Sequence, residues 1–274
     1  MSVLFRLFYS LLLMFMSPFL LFGLYRTPSD KPKVGKRWKE HFGFTPPLKN
    51  QDRPLWIHAV SMGETIAAIP LIKKIKQQKP EQTIVLTTTT ATGAKQAQSL
   101  GDLVEHRYMP LDFLFAIKGF LNVIRPEKML IMETELWPNT LHLVAKSGIN
   151  IHLINARLSE RSCQRYAKVQ PLFNLMGQQL TQVLCQYPED AKRFIRLGLD
   201  KNKVKVTGSI KFDIEVSQQV LDKGKALRES FGLKRPVWIA ASTHQGEDEI
   251  ILKAHQEVLS KPVSYTHLTL PTIA

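Results

Sequence analysis

The chain has 274 residues, 44% of them hydrophobic, enough for one large domain or two modest ones. A net charge of +14 and a pI near 9.8 call for an anionic partner: a phospholipid surface, a phosphorylated substrate or nucleic acid. The only cysteines, Cys163 and Cys185, have neither metal-ligand nor disulfide-framework spacing, which fits a reducing compartment and argues against a metal site.

Residues 7–25 carry no charge, and at about 1.5 Å per residue such a helix reaches about the 30 Å of a bilayer core. A cleaved signal peptide would be shorter and end in a small-residue cleavage site, which Phe22-Gly-Leu-Tyr25 does not offer. Arg6 alone precedes the run, whereas Arg26, Lys31, Lys33, Lys36, Arg37 and Lys39 follow it. The positive-inside bias then places the bulk of the chain in the cytoplasm, behind an uncleaved anchor over 1–26 that either spans the membrane or lies in its interface. The basic, aromatic segment at 27–50 either binds anionic headgroups, with Trp38, Phe42 and Phe44 at the interface, or is a solvated linker helix.

Residues 55–60, Leu-Trp-Ile-His-Ala-Val, read as a buried parallel strand. Ser61-Met-Gly63 then makes a tight turn, and Glu64 opens a helix with Ile66, Ala67, Ile69 and Leu71 on its apolar face. A carboxylate there sits where open α/β sheets bind ligands, and it is either a general base or simply an acid complementing the helix dipole.

Further strands are expected at 83–90, 105–109, 128–133, 150–155, 182–186 and 203–207, with helices at 92–100, 113–124, 138–146, 160–180 and 189–197. This alternation predicts a Rossmann-like parallel sheet covered on both faces, over 51–213. No G-x-G-x-x-G follows the first strand and no Walker loop occurs, which disfavours a dinucleotide dehydrogenase or P-loop enzyme.

Polar clusters end three of the strands: Met132-Glu-Thr-Glu-Leu-Trp-Pro-Asn139, Ile154-Asn-Ala-Arg-Leu-Ser159 and Thr207-Gly-Ser-Ile-Lys-Phe-Asp213. With Glu64 they converge on one rim of the sheet. Singly, each has a plainer reading: Glu135 and Asp213 as helix caps, Arg157 as a carboxylate's partner, Trp137 as core. The threonines of 87–92 either bind phosphate or simply favour a strand. A linker helix is expected within 214–235, and 236–261 repeats strand, polar turn and helix, the start of a second α/β domain.

Arg37-Trp38, Ser61-Met-Gly-Glu64, the 132–139 cluster, Asn155-Ala-Arg-Leu158, Gly208-Ser-Ile-Lys-Phe-Asp213 and Ser242-Thr-His-Gln-Gly-Glu247 resemble, in order and spacing, the bacterial 3-deoxy-D-manno-octulosonic acid (Kdo) transferases. The resemblance implies a GT-B glycosyltransferase, in which a complete N-terminal Rossmann-like domain takes the lipid A precursor and a second takes CMP-Kdo. It implies that Glu64 accepts the proton of the acceptor hydroxyl and that Glu133 and Lys211 stabilise the transition state. Ser61, Gly63, Glu135, Asn155, Arg157, Ser209, Ser242 and His244 become substrate-binding candidates. It implies an inverting reaction with no metal and no cofactor beyond the donor CMP-Kdo, at the cytoplasmic leaflet of the inner membrane, with no nucleic-acid partner. Other readings are a different membrane-attached GT-B sugar transferase, whose glycine-rich first loop is absent here, and a non-catalytic module binding anionic lipid. The segment 262–274 departs from the family pattern and reads as a non-native tail, so that the second domain is expected to be only begun and this chain inactive as a transferase.

Overall fold

In the computed structural model, residues 2–26, 32–50, 52–213 and 218–260 are described, and they belong to two compact units, Met1–Ile214 and Glu215–Ala274. The first unit begins with helix α1 (Ser2–Tyr25) and a 3-10 helix (Gly35–Phe42). Strands and helices then alternate: β1 (Leu55–His58), α2 (Met62–Gln78), β2 (Ile84–Thr88), α3 (Ala91–Gln98), β3 (Glu105–Tyr108), α4 (Leu114–Ile124), β4 (Lys128–Met132), α5 (Pro138–Lys146) and β5 (Asn150–Ala156). After α6 (Glu160–Lys168) and α7 (Gln170–Gln179) come β6 (Gln182–Cys185), α8 (Pro188–Arg196) and β7 (Val204–Val206).

The seven strands form one parallel sheet in the order β3-β2-β1-β4-β5-β6-β7. The central strands β1, β2 and β4 are largely apolar because both faces are covered there, whereas the edge strands β3 and β7 carry charges. The period of two is visible in where neighbours point. Trp56, Val85, Met129, Ile131, Ile151 and Leu153 enter one core with Phe120, Leu141, Phe173 and Phe194. Ile57, Leu86, Met132 and Ile154 enter the other, with Ala67, Ala68 and Ile72 of α2 and Ala97 of α3. Each large apolar side chain buried this way stabilises the unit by roughly 1.5–3 kcal/mol. Trp56 is fully buried, and its indole N–H donates to Thr87 Oγ1 at 2.8 Å, so no polar atom of that ring is left unpaired.

Several expectations for this unit change. The single helix at 160–180 is two: α6 ends at its C-cap Val169, and Pro171 lies in the first turn of α7, where its missing N–H costs least. The threonine run serves the fold: Thr87 and Thr88 are buried, and Thr90 caps α3 by accepting from Gly93 N at 3.1 Å. The basic segment is not a solvated linker. Glu40 and His41 are buried, Glu40 accepts from Tyr108 N at 2.8 Å, and Arg37 holds Glu40 at 2.6 and 2.8 Å. Finally, among the described residues no helix is long and apolar enough to cross a membrane, so a spanning anchor is unsupported. Tyr9, Ser10, Ser17 and Pro18 interrupt the apolar run.

In the second unit, α9 (Gln218–Phe231) and α10 (Glu247–Ser260) are helical. The strand expected from residue 236 does not form: 236–241 pairs with no other strand among the described residues, and Val237, Trp238 and Ile239 are exposed. Without a ladder to join, its backbone groups have nothing to gain from a strand over water. The expected tail at 262–274 lies outside the described residues.

Candidate active site

The strand order reverses between β1 and β4, and the chain places a carboxylate just beyond the carboxyl end of each. Ser61 is the N-cap of α2, and Glu64 is its third residue, closing a capping box. Ser61 Oγ accepts from Glu64 N at 3.4 Å and donates to Glu64 Oε1 at 3.0 Å, while Val60 N donates to Glu64 Oε2 at 2.8 Å. Glu64 thus does serve the N-terminus of α2, as the plainer reading of a first-turn acid has it. The carboxyl is also half-buried, and desolvation, aided by the charge of Glu133, raises its pKa against those hydrogen bonds. Gly63 is exposed, and a Cβ there would meet only Ser61 Oγ, at 4.0 Å, so the helix N-terminus stays open.

Glu133 follows β4 with φ 56°, in the left-handed region where a residue with a Cβ is strained by roughly 1–3 kcal/mol. Its N–H donates to Ile154 O at 2.9 Å, and its carboxylate faces Lys211 Nζ at 3.9 Å. Glu135 is pushed up to about 7 by desolvation, then by the charges of Glu64 and Glu133. It does not cap α5. That role belongs to Asp112, which accepts from Asn139 N at 3.0 Å and Thr140 N at 2.7 Å. Trp137 is exposed rather than core, and its side chain lies near Glu135, where it works against the rise in that carboxyl's pKa.

Asn155, at the end of β5, is buried with φ 51°. Its Oδ1 accepts from Ile210 N at 3.2 Å, which ties β5 to the turn bearing Ser209 and Lys211. The buried Ser209 accepts from Lys211 N at 3.4 Å. Arg157 is exposed and forms no ion pair among the described residues. An open cleft of about 580 Å³ lies beside these groups, lined by Arg157, Ser159, Gln186, Asp190, Ser209 and Lys211. Lys211 thus borders both the cleft and Glu133.

The rim unites Glu64, Glu133, Glu135, Asn155, Ser209 and Lys211 within one unit. Ser242 and His244 belong to the second unit, where His244 N donates to Glu247 Oε2 at 2.8 Å in the first turn of α10. Asp213's side chain lies outside the described residues. Sequence reasoning missed Gln186, whose Nε2 donates to Asn155 O at 2.9 Å, although its place at the end of β6 marked it. No cluster of three or more His, Cys, Asp or Glu suited to a metal occurs among the described residues.

Fold and site together define a Rossmann-type α/β domain with a carboxylate-and-lysine rim at its topological switch point. The family model described as 3-deoxy-D-manno-octulosonic-acid transferase (kdotransferase) matches residues 36–214, and the chain belongs to that family. A 3-deoxy-D-manno-octulosonic acid transferase of Haemophilus influenzae is 39% identical over 272 residues, covering 97% of this chain and 63% of the relative. One of Bordetella pertussis is 34% identical, covering 77% of this chain and 50% of the relative. The chain thus spans about half to two thirds of the length of such relatives. Among solved structures, UDP-GlcNAc 2-epimerase from Neisseria meningitidis bound to UDP-GlcNAc aligns with a TM-score of 0.47 and 16% identity, over 66% of this chain and 54% of that one.

Proposed function

We propose that the protein works as a Kdo transferase, moving Kdo from CMP-Kdo to the tetra-acyl disaccharide lipid A precursor in lipopolysaccharide core synthesis. The complete enzyme is read as a GT-B transferase whose first domain, described above, holds the acceptor and whose second holds the nucleotide. The observation that carries this reading, beside family membership, is a half-buried carboxylate at the switch point next to a lysine paired with a second carboxylate.

In this mechanism Glu64 takes the proton of the acceptor's primary hydroxyl as that oxygen attacks the anomeric carbon of Kdo. The bond from that carbon to the phosphate oxygen breaks, CMP leaves with the electron pair, and the configuration inverts. Desolvation raises the Glu64 pKa, which makes it a stronger base than an ordinary carboxylate. Lys211 supplies a cation against the negative charge that develops on the departing group, and Glu133 holds the lysine in place. Arg157, which lines the same cleft, suits a phosphate of the acceptor. No step needs a metal or a further cofactor. The net charge of +14 and the apolar outer face of α1 suit work at the anionic cytoplasmic leaflet of the inner membrane.

The test joins residues 1–235 to the C-terminal part of the Haemophilus influenzae relative and measures CMP released from CMP-Kdo. Release that depends on added lipid A precursor is expected. A well-folded fusion that binds precursor vesicles yet releases no CMP would favour a lipid-binding module instead.

A further inference from the structure

We propose that α1 lies side-on along the first unit, clasped to it near both ends, and enters only one leaflet of an anionic membrane. This rests on the membrane location given under the proposed function, and it decides how the chain meets that membrane.

The helix has two unlike faces. Tyr9, Ser10, Leu13, Ser17 and Leu21 are partly covered and recur at three- and four-residue spacing, one stripe turned to the body. Phe8, Phe15, Phe19 and Phe22 on the other side are 68, 74, 73 and 64% exposed.

The covered stripe ends in polar clasps. Near the start, Asn139 Nδ2 donates to Ser10 Oγ at 3.1 Å, and the Tyr9 hydroxyl is turned toward the Asp112 carboxylate beside it. Asn139 Nδ2 also donates to Asp112 O at 2.8 Å, so one buried group serves both the helix and the cap of α5. At the other end the Tyr25 hydroxyl and His41 Nδ1 are 2.8 Å apart, and His41 is fully buried against the Tyr108 ring.

Tyr9 and Tyr25 are separated by sixteen residues, about 24 Å of helix axis. Were α1 to cross a bilayer, Asp112, Asn139 and His41 would have to sit at different depths of its hydrocarbon or release the helix. Either course strands buried polar groups. Laid flat, the same helix keeps both clasps and turns its phenylalanines into the boundary of headgroups and acyl chains. Arg26, whose guanidinium lies 5.4 Å from the Phe22 ring centroid, and the neighbouring Lys36 and Lys39 supply charge complementary to anionic lipid there. Exposed Trp38 and Phe44 continue the apolar surface. Because Asp112 also caps α5, the clasp sets the 133–139 turn at a fixed height above the lipid.

Two measurements on the full chain test this. In the first, Phe5→Cys, with the buried Cys163 and Cys185 replaced by alanine, is expressed in spheroplasts and treated from outside with a membrane-impermeant maleimide. Protein recovered with the membranes should be labelled at less than about a tenth of the level reached after detergent. Full labelling in intact spheroplasts would mean that α1 crosses, and would overturn the proposal. In the second, Ser10→Cys with Asn139→Cys, oxidised in the membrane fraction, should cross-link in more than half of the molecules. Phe15→Cys with Asn139→Cys should not. Failure of the first pair, or equal yield from the second, would refute the clasp. Recovery of the protein in the soluble fraction would instead overturn the membrane location, leaving the cross-link to judge the clasp alone.

Discussion

Three carboxylates, Glu64, Glu133 and Glu135, share the rim with Lys211, and desolvation, then repulsion from the other two, leaves Glu135 with a pKa of about 7. Two outcomes follow. A side-chain carbon titration should place Glu135 near neutrality, and Glu64→Gln should lower its midpoint by removing a neighbouring charge. A midpoint in the usual carboxylate range in the unsubstituted protein would contradict the arrangement. Stability carries the opposite sign to an ordinary ion-paired acid. The folded state binds the proton more tightly than the unfolded one, so the contribution of Glu135 is full below about 4.5 and is lost as pH rises through about 7. The melting temperature of the unsubstituted chain relative to Glu135→Gln should therefore fall across that window, and a difference that rises would sink the assignment. Asn155 acts at the same scale, since its side chain joins the end of β5 to the Lys211 turn. Asn155→Ala should speed amide exchange at Ile210 and Lys211 while leaving the core of β5 protected. Unchanged exchange there would mean that the turn is held by something else.

The elements around the rim were legible where periodicity was long and both sheet faces were filled. All seven strands of the first unit lie at the runs expected to be strands, most of them apolar and bounded by turns, and the switch point follows from connectivity. What periodicity does not show is a contact between distant residues. Nothing local to Asp112 marks it as the cap of α5, and the bonds joining Asn155 to Ile210 and Gln186 come only from the sheet order. The charges at 35–42 suggested solvation, whereas Arg37 neutralises Glu40 and the 3-10 helix packs inward. That packing depends on two glycines. Gly43 has φ 84°, and a Cβ there would lie 2.3 Å from Ala116 O, while one on Gly119 would lie 2.8 Å from Gly43 O. Gly43→Ala combines left-handed strain with a clash against fixed backbone, and should cost about 2–4 kcal/mol. For a unit of this size that is a fall of roughly 4–16 °C in melting temperature. A shift under a degree would show that the segment is not anchored on α4.

At the scale of the whole molecule, the proposed function has a basic chain, with an apolar helix at the start of its first unit, meet an anionic surface while the rim presents Glu64 to a lipid-borne hydroxyl. Binding to vesicles of anionic phospholipid should weaken as salt rises, because part of the attraction is screened, yet persist through the apolar face of α1. Binding indifferent to salt would remove the role assigned to the charge. The central claim is chemical and concerns Glu64. In the fusion of residues 1–235 with the C-terminal part of the Haemophilus influenzae relative, acceptor-dependent CMP release should be measured for the unsubstituted protein and for Glu64→Gln under saturating donor. The amide preserves the size of the side chain but cannot take the proton, so the rate should fall at least ~10²-fold with the melting temperature nearly unchanged. A Glu64→Gln rate within a few-fold of the unsubstituted fusion would show that the proton goes elsewhere and that Glu64 serves only the first turn of α2.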